Sequence, residues 1–519
     1  MQKMNFHEDF ISWISMLHYQ ASTRLILLEL SDPILLLFSI RQGDPLAMLL
    51  YILYIEPLLL ILEAKMTGLR LKHISQKIEA FCDDVNLLTS DLKDFQIIED
   101  IISKFEVSSG ALLSRNKKCT VFGMGGWKGK ENWPTVWMKP VTEVKVFGIL
   151  FCNSYNNMLR LNWEHRYKNF NAAIHSWSHR VLDTLSQRIE VIRMFALSRV
   201  YYVAAILPMT NVMVKRLEKL MGKFIWNFSG KILRVSIDDL KHYKLSGGMQ
   251  LPCVARMANA LLVSQCVRAL KSGDIRCTGH LEYWLGDLIG SVFPGLSMGT
   301  YAEDTPAYFE HLGLLLAELM VNDTICSSTI SKISNKSIYS EFMTDLLPPR
   351  VVRDSARDYR HVWKRLHSSV VDGKSRDVMF LLLHNKLPVP ERLFRISLLN
   401  DPYCKKCEGA EISDIEHYFC HCISVAELWL WLRSKVVNMD TSLTSVTDGD
   451  LLNLSFNRTS YEKEVTWLVS SFVGFVWDRV HAHESSITLN TFFGFLSFKY
   501  REFKESSSTP LRSLEELYE

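Results

Sequence analysis

Apolar positions recur with two different periods along this chain, and the change of period divides it. Near the start, Phe10, Ile11, Ile14 and Leu17 fall at helical spacing and predict an amphipathic helix over 7–18. Residues 23–40, TRLILLELSDPILLLFSI, read as two strands around a Ser31-Asp32-Pro33 turn. The nearly unbroken apolar run at 46–65 predicts a core helix closed by Gly68, and LRLKHI after it reads as a strand. KIEAFCDDVNLLTS, 77–90, reads as strand, turn, strand. Over 92–110, Phe95, Ile98, Ile101, Ile102 and Phe105 share a helical face, with Gly110 as the stop. VKVFGILF, 144–151, reads as one strand. From Trp163 to Trp226 the helical period prevails, GGMQLP at 247–252 interrupts it, and 255–400 read as mostly helical. SSSTP at 506–510 reads as a loose tail.

Length and composition narrow the class. A chain of 519 residues exceeds one ordinary core, so two to four domains are expected. Hydrophobic content of 48% with 22% charged residues excludes an intrinsically disordered protein. The net charge of +3 names no partner, but its distribution does. Arg160 to Lys244 holds 15 Lys/Arg against 6 Asp/Glu, which predicts a surface for a polyanion. Charge-free runs such as Val200 to Val214 (15 residues, with Pro208 inside) and Pro45 to Ile55 (11 residues) are short. A bilayer needs about 20, so no membrane association is expected. Glu8 and Asp9 interrupt any amino-terminal leader pattern. Eleven cysteines, an odd number and mostly scattered, fit reduced thiols in a nuclear or cytoplasmic protein.

Three stretches carry chemistry. IEAFCDDVNLL, 78–88, sets Asp83 and Asp84 side by side in an apolar run, where like charges repel. At a hairpin tip such a pair can hold divalent cations. CKKCEGAEISDIEHYFCHC, 404–422, gives Cys404-x2-Cys407 and then His417, with Cys420, His421 or Cys422 as the fourth ligand. Three thiolates and an imidazole suit tetrahedral zinc, and four protein ligands leave no site for water, so this zinc is structural. Finally, 177–208 and 215–234 space basic residues three to four apart with aromatics between. Lys215, Arg216, Lys219 and Lys223 lie on such a phosphate-tracking face. His384 is expected to face solvent or cap a helix, and no catalytic role is assigned to it.

The order of these features resembles the later motifs of reverse transcriptases from non-long-terminal-repeat (LINE-type) retrotransposons. RQGDPL at 41, the helix ending at Glu56-Pro57, Gly68, FCDD at 81, SGALLSRNKKC at 109 and VKVFGILF at 144 follow one another as in that family. The resemblance implies that Arg41, Gln42 and Gly43, with Pro45 and Leu46, lie near template and nucleotide. It implies that Asp83 holds Mg²⁺ with Asp84 in support, and that Lys117 or Lys118 and Gly148 fill later motif places. Trp163, Trp177, Arg180, Pro208 and Trp226 resemble the family's thumb, and GGMQLP the segment after it. LLHNKLPVPERLFR, 382–395, and HYFCHCISVAELW, 417–429, resemble the zinc-binding domain downstream of such enzymes, which places the fourth ligand at Cys422 and a helical Trp at Trp429.

The implied fold is α+β. A partial palm (1–125) of small antiparallel sheet plus helices leads to a basic helical thumb-like region (126–255). A helical connector (256–380), a zinc-binding domain (381–435) and a helical carboxy-terminal region (436–519) follow. Ala47-Met48 and Cys82 depart mildly from the family pattern. The large departure is the first catalytic carboxylate. Its strand lies upstream of the helix that FHEDFISWISMLHYQ resembles, so an amino-terminally truncated relative is expected. Two cations would then be held by too few charges for phosphoryl transfer. The expectation is a catalytically silent derivative that binds RNA or DNA and carries zinc, with Mg²⁺ only if polymerase competence is restored. The alternatives are an active RNA-directed DNA polymerase, if the absent motif is supplied, and a zinc-structured protein-interaction module.

Overall fold

The computed structural model describes residues 1–26, 30–36, 44–71, 74–82, 84–115, 119–135, 138–226, 235–290, 305–322, 324–326, 329, 331–349, 359–407, 411–481 and 487–506. Helices dominate, and the described strands form five two-stranded units, four antiparallel and one parallel. They do not join into the one small antiparallel sheet expected from the sequence. The chain resolves into two compact units. The first comprises the described residues of Met1–Asn162 and Ala269–Asp287; the second, those of Trp163–Arg268, Leu288–Gly295 and Ala302–Glu519.

In the first unit, α1 (Glu8–His18) forms over the expected span, yet none of its residues is buried. Short strands β1 (Ser22–Thr23) and β2 (Ile34–Leu35) pair antiparallel, and Ser31 closes their loop by hydrogen bonds in both directions with Leu25. The apolar run becomes α2 (Ala47–Lys65), with Pro57 inside it. Only Ile55 and Leu62 are buried there, so it is a core helix on one narrow stripe rather than all round. By length and composition it is also apolar enough to cross a membrane, because the helix runs on through Glu56 where the charge-free run stops. A carboxylate at mid-span is costly in hydrocarbon, and Leu62 is committed to a protein core. That core joins Leu62 and Met66 to Ile98 and Ile102 of α3 (Asp94–Ser109), with Ile78 and Leu87 packed on it.

Local chemistry explains the turns of this unit. Gly110, in the left-handed conformation at φ 74°, ends α3 as its position predicts. The Asp94 side chain accepts from the Thr67 and Gly68 N–H groups at 2.8 and 3.1 Å and so ties the end of α2 to the start of α3. Burial works to raise the Asp94 carboxyl, but these bonds and one from Thr89 outweigh it and hold it below its ordinary value. β3 (Leu69–Leu71) pairs with β4 (Ile74–Gln76), and β5 (Ile78–Phe81) with β6 (Asp84–Leu87). β7 (Thr120–Phe122) runs parallel to β8 (Lys139–Val141).

Residues 144–151 are not one strand. β9 (Glu143–Val146) and β10 (Ile149–Cys152) form a hairpin about Phe147-Gly148, at φ 46° and 81°. Two successive positive φ values give the tight turn that matches strand twist, so a run that alternates as one strand folds back on itself at its glycine.

The second unit is a helical body. It contains α4 (Tyr155–Ser178) from Trp163 on, α5 (Leu185–Val191), a π-helical turn at Ile192–Ala196, α6 (Ser198–Ala204), α7 (Asn211–Ile225), α8 (Ile237–Lys241) and α9 (Val254–Ser272) as far as Arg268. Thr184 and Gln187 form a reciprocal capping box at the start of α5, and the Asp377 side chain accepts from the Leu185 N–H at 2.7 Å. The Trp163 indole donates to the Pro208 carbonyl at 2.9 Å, so α4 is pinned to the bend after α6. Gly247, at φ 88°, passes so close to Trp363 that a Cβ there would sit 3.0 Å from the ring.

His384 is buried, not solvent-facing. Its Nε2–H donates to the Gly247 carbonyl at 2.9 Å, and burial pushes its pKa down to about 4. The helix Gly373–Leu383 packs along Glu462–His481, where Gly474 leaves room for Ser375. The SSSTP tail lies outside the described residues apart from Ser506, which ends the helix Leu489–Ser506.

Candidate metal centre and nucleic-acid surface

The metal centre is assembled from a short knuckle and a helical turn. Tyr403 bridges to Ile412, and the Cys404 N–H donates to the Glu411 carbonyl at 2.9 Å, so the Cys404 and Cys407 loop closes on itself. His417 opens a π-helical turn, His417–His421, whose backbone N–H is capped by the Asp414 carboxylate at 2.7 Å. The wide turn lets the Cys422 N–H reach back to the His417 carbonyl at 2.7 Å and swings the Cys422 sulfur toward the knuckle.

The result is a Cys404, Cys407, His417, Cys422 set with its ligand atoms all within 4.8 Å of one another. Sulfur separations are 3.7 Å for Cys404–Cys422 and 3.9 Å for Cys407–Cys422, and Cys407 Sγ lies 3.6 Å from His417 Nε2. A tetrahedron with Zn–S bonds of about 2.3 Å has edges of about 3.8 Å, so the four ligands fit zinc. The thiols are not paired as disulfides. His417 Nδ1 meets Glu411 Oε2 at 2.7 Å, which fixes the ring and leaves Nε2 for the metal. Of the sequence alternatives, Cys420 is buried outside the set, and His421 pairs with Asp448 at 3.3 Å. Zinc bound here would supply structure: it would tie the knuckle to the helix Ala426–Met439, whose Trp429 packs at a tilt against Phe472 with ring centroids 5.4 Å apart. Among the described residues this is the convergent metal-ligating group of three or more side chains.

The carboxylate hairpin is present in outline. β5 and β6 pair Phe81 with Asp84, and Cys82 takes φ 55° at the turn. Asp84 is exposed at the head of β6, and Phe81 packs edge-on to Phe147 at 6.1 Å. Asp83, like Arg41, Gln42, Gly43, Lys117 and Lys118, lies outside the described residues.

The basic helix is fully visible. α7 buries Met213, Val214, Leu217, Leu220, Met221, Phe224 and Ile225. Lys215, Lys219 and Lys223 are exposed on the opposite side, one turn apart. Four residues advance a helix by about 6 Å, so the three ammonium groups make a straight cationic stripe. None of the three has an ion-pair partner among the described residues. Arg216 sits apart from the stripe: its guanidinium forms a two-pronged pair with Glu164, one arm at 3.2 Å, and lies 4.1 Å from the Tyr167 ring centroid. Sequence spacing grouped Arg216 with the lysines because residues 215 and 216 are adjacent. Its different setting comes from α4, more than fifty positions away in the chain. Reading the sequence did not reveal Glu411 as the His417 partner, and one signal was available, an acidic residue six positions before the ligand.

Comparison with known proteins places this geometry. The family described as zinc-binding in reverse transcriptase matches residues 336–429. An uncharacterized 149 kDa protein of transposon TX1 from Xenopus laevis is 30% identical over 120 residues. That alignment covers 22% of this chain and 9% of the relative's length. Residues 336–429 thus carry the zinc-binding region associated with reverse transcriptases, and through it the chain is related to retrotransposon reverse-transcriptase proteins. Its zinc ligands are Cys404, Cys407, His417 and Cys422.

Proposed function

We propose that this chain is a LINE-type reverse-transcriptase derivative that binds RNA or DNA and does not polymerise. The observation that carries the reading is the pairing, within one compact unit, of the zinc-binding region with the exposed lysine stripe of α7. Three cations one helical turn apart match the regular charge of a phosphodiester backbone, and zinc holds the neighbouring domain in shape without joining the chemistry. Asp83 and Asp84 are vestigial in this reading. The protein is expected in the nucleus or cytoplasm.

Binding to labelled RNA and DNA across a salt series tests the reading. Affinity should fall steeply with salt, and changing Lys215, Lys219 and Lys223 to Gln should reduce the slope of log K on log salt by about three. Salt-independent binding, or none, overturns it. Template-primer extension with Mg²⁺ or Mn²⁺ tests the silent-site part; incorporation that vanishes in Asp83→Ala would show an active polymerase.

A further inference from the structure

A second surface in the same unit has a different character from the lysine stripe. Trp177, near the end of α4, is half-buried, and the Arg180 guanidinium lies over its ring, 4.3 Å from the centroid. The Phe195 ring lies against the other partner in this group, Trp177, at 4.7 Å, yet Phe195 itself is 48% exposed. Beside it Met194 is 63% exposed. Both belong to the π-helical turn Ile192–Ala196, whose Leu197 N–H reaches back five residues to the Ile192 carbonyl. The extra residue in that turn buries Ile192 and Ala196 and leaves Met194 and Phe195 outside. Large apolar side chains on a well-packed body are ordinarily turned inward, and π-helical turns recur at functional sites.

The exposed row continues. Arg199 lies one turn beyond Phe195 and donates from Nε to its carbonyl at 3.3 Å. Tyr202 follows at 48% exposed, with Arg166 of α4 6.0 Å from its ring centroid. Arg180 and Arg199 meet no carboxylate at ion-pair distance among the described residues. Aromatic faces alternating with guanidinium groups suit one ligand chemistry: unpaired bases, which stack on rings, joined by phosphates, which the arginines neutralise. A duplex hides its base faces and offers this row only phosphates. An acidic peptide would satisfy the arginines but bring nothing planar to the exposed ring surfaces of Phe195 and Tyr202.

We propose that Trp177, Phe195 and Tyr202, with Arg180 and Arg199, form a base-stacking platform for an unpaired RNA or DNA strand. The proposal rests on the nucleic-acid-binding reading and names the form of nucleic acid that this surface takes. Oligonucleotides of one sequence, as RNA, as DNA and as the matching duplexes, serve as probes. Phe195→Ala and Trp177→Ala should each weaken single-strand binding by about ten- to a hundredfold, with duplex affinity and the salt slope unchanged. Trp177→Phe keeps a ring and should retain most of the affinity, which separates stacking from misfolding. A 2-aminopurine base in the single strand should change emission on binding and fail to do so in Phe195→Ala. If the lysine variants lose salt-dependent binding while the platform variants bind single strands as before, the platform is overturned and the general reading stands. If no nucleic acid binds at all, both fall. Equal losses for single strand and duplex would reassign the row to phosphate contact or to packing.

Discussion

The two compact units put their apolar residues to different use. In the first, α1 buries nothing, and Trp13 and Met16 are 63% and 69% exposed. α2 turns Met48, Leu49, Leu60 and Ile61 outward, and the strands stay in pairs. Two-stranded ribbons are marginal alone, and here β5 and β6 lean on the Leu62, Met66, Ile98 and Ile102 cluster. In the second unit, the helix Glu462–His481 buries an unbroken run from Glu464 to Val476, and Phe472, Phe475 and Phe492 meet ring to ring. Long apolar stretches occur in both. What differs is the number of neighbouring helices available to cover each apolar stripe, which a helix's own sequence does not carry.

The largest expected effect concerns the metal. Zinc binding in small domains contributes on the order of 10 kcal/mol to folding. Chelation, or Cys404→Ser, should therefore release one zinc per chain and open residues 400–425 to protease. A chain that keeps its zinc content and protease resistance in the variant would remove Cys404 from the ligand set.

Next is Arg365, 3% exposed, which donates to Glu462 at 3.0 Å and to the Leu454 and Phe456 carbonyls at 2.7 Å each. Replacing it by Ala orphans those groups and should cost about 3–5 kcal/mol in denaturant unfolding. Phe472→Ala should cost a similar amount, about 3–5 kcal/mol, through the cavity it leaves among Trp429 and Phe492. A loss below about 1 kcal/mol at either position would mean that the second unit is not tightly packed there, and the contrast with the first would weaken.

A smaller effect is visible in pH. Burial raises the Asp377 carboxyl to about 7, against bonds and charges from Leu185, Arg376 and Arg188 that act to lower it. The folded state thus holds a proton that the unfolded state releases near pH 4. The contribution is complete below that pH and is lost as pH rises through about 7. Asp377→Asn keeps an oxygen for the Leu185 N–H and removes the titration, so its stability relative to wild type should improve by a few kcal/mol between pH 4 and 8. Parallel curves would show that Asp377 ionises freely in the fold. The smallest effect belongs to the first unit: Trp13→Ala should change stability by less than about 0.5 kcal/mol. A cost several times larger would show that its exposed face is covered in solution, and the contrast between units would disappear.

Several elements were legible from residue spacing because their causes are local. The helix 92–110 stops at Gly110 since only a residue at ease with positive φ closes it that way. The FCDD hairpin follows from two apolar strands flanking a polar pair, although its Asp83 lies outside the described residues. The hairpin at 144–152 was missed because Phe147-Gly148 is a turn only when Phe147 accepts φ 46°, and its apolar side chain conceals this in the pattern. The solvent-facing reading of His384 failed because its environment is made by Gly247 and Trp363, far away in sequence, though it does donate to the carbonyl of Gly247, which ends a short 3₁₀ turn.

By itself the sequence determined the secondary-structure periods, the basic middle segment, and three of the four zinc ligands by spacing, with Cys422 following from family resemblance. Those depend on neighbours within a few turns of chain. The tertiary structure alone decided which apolar faces are covered, that Glu164 holds Arg216 while Lys215, Lys219 and Lys223 stay open, and that a π-helical turn sets Phe195 outside beside Trp177. Burial and charge pairing are properties of what packs alongside a residue, and those neighbours are supplied by distant parts of the chain.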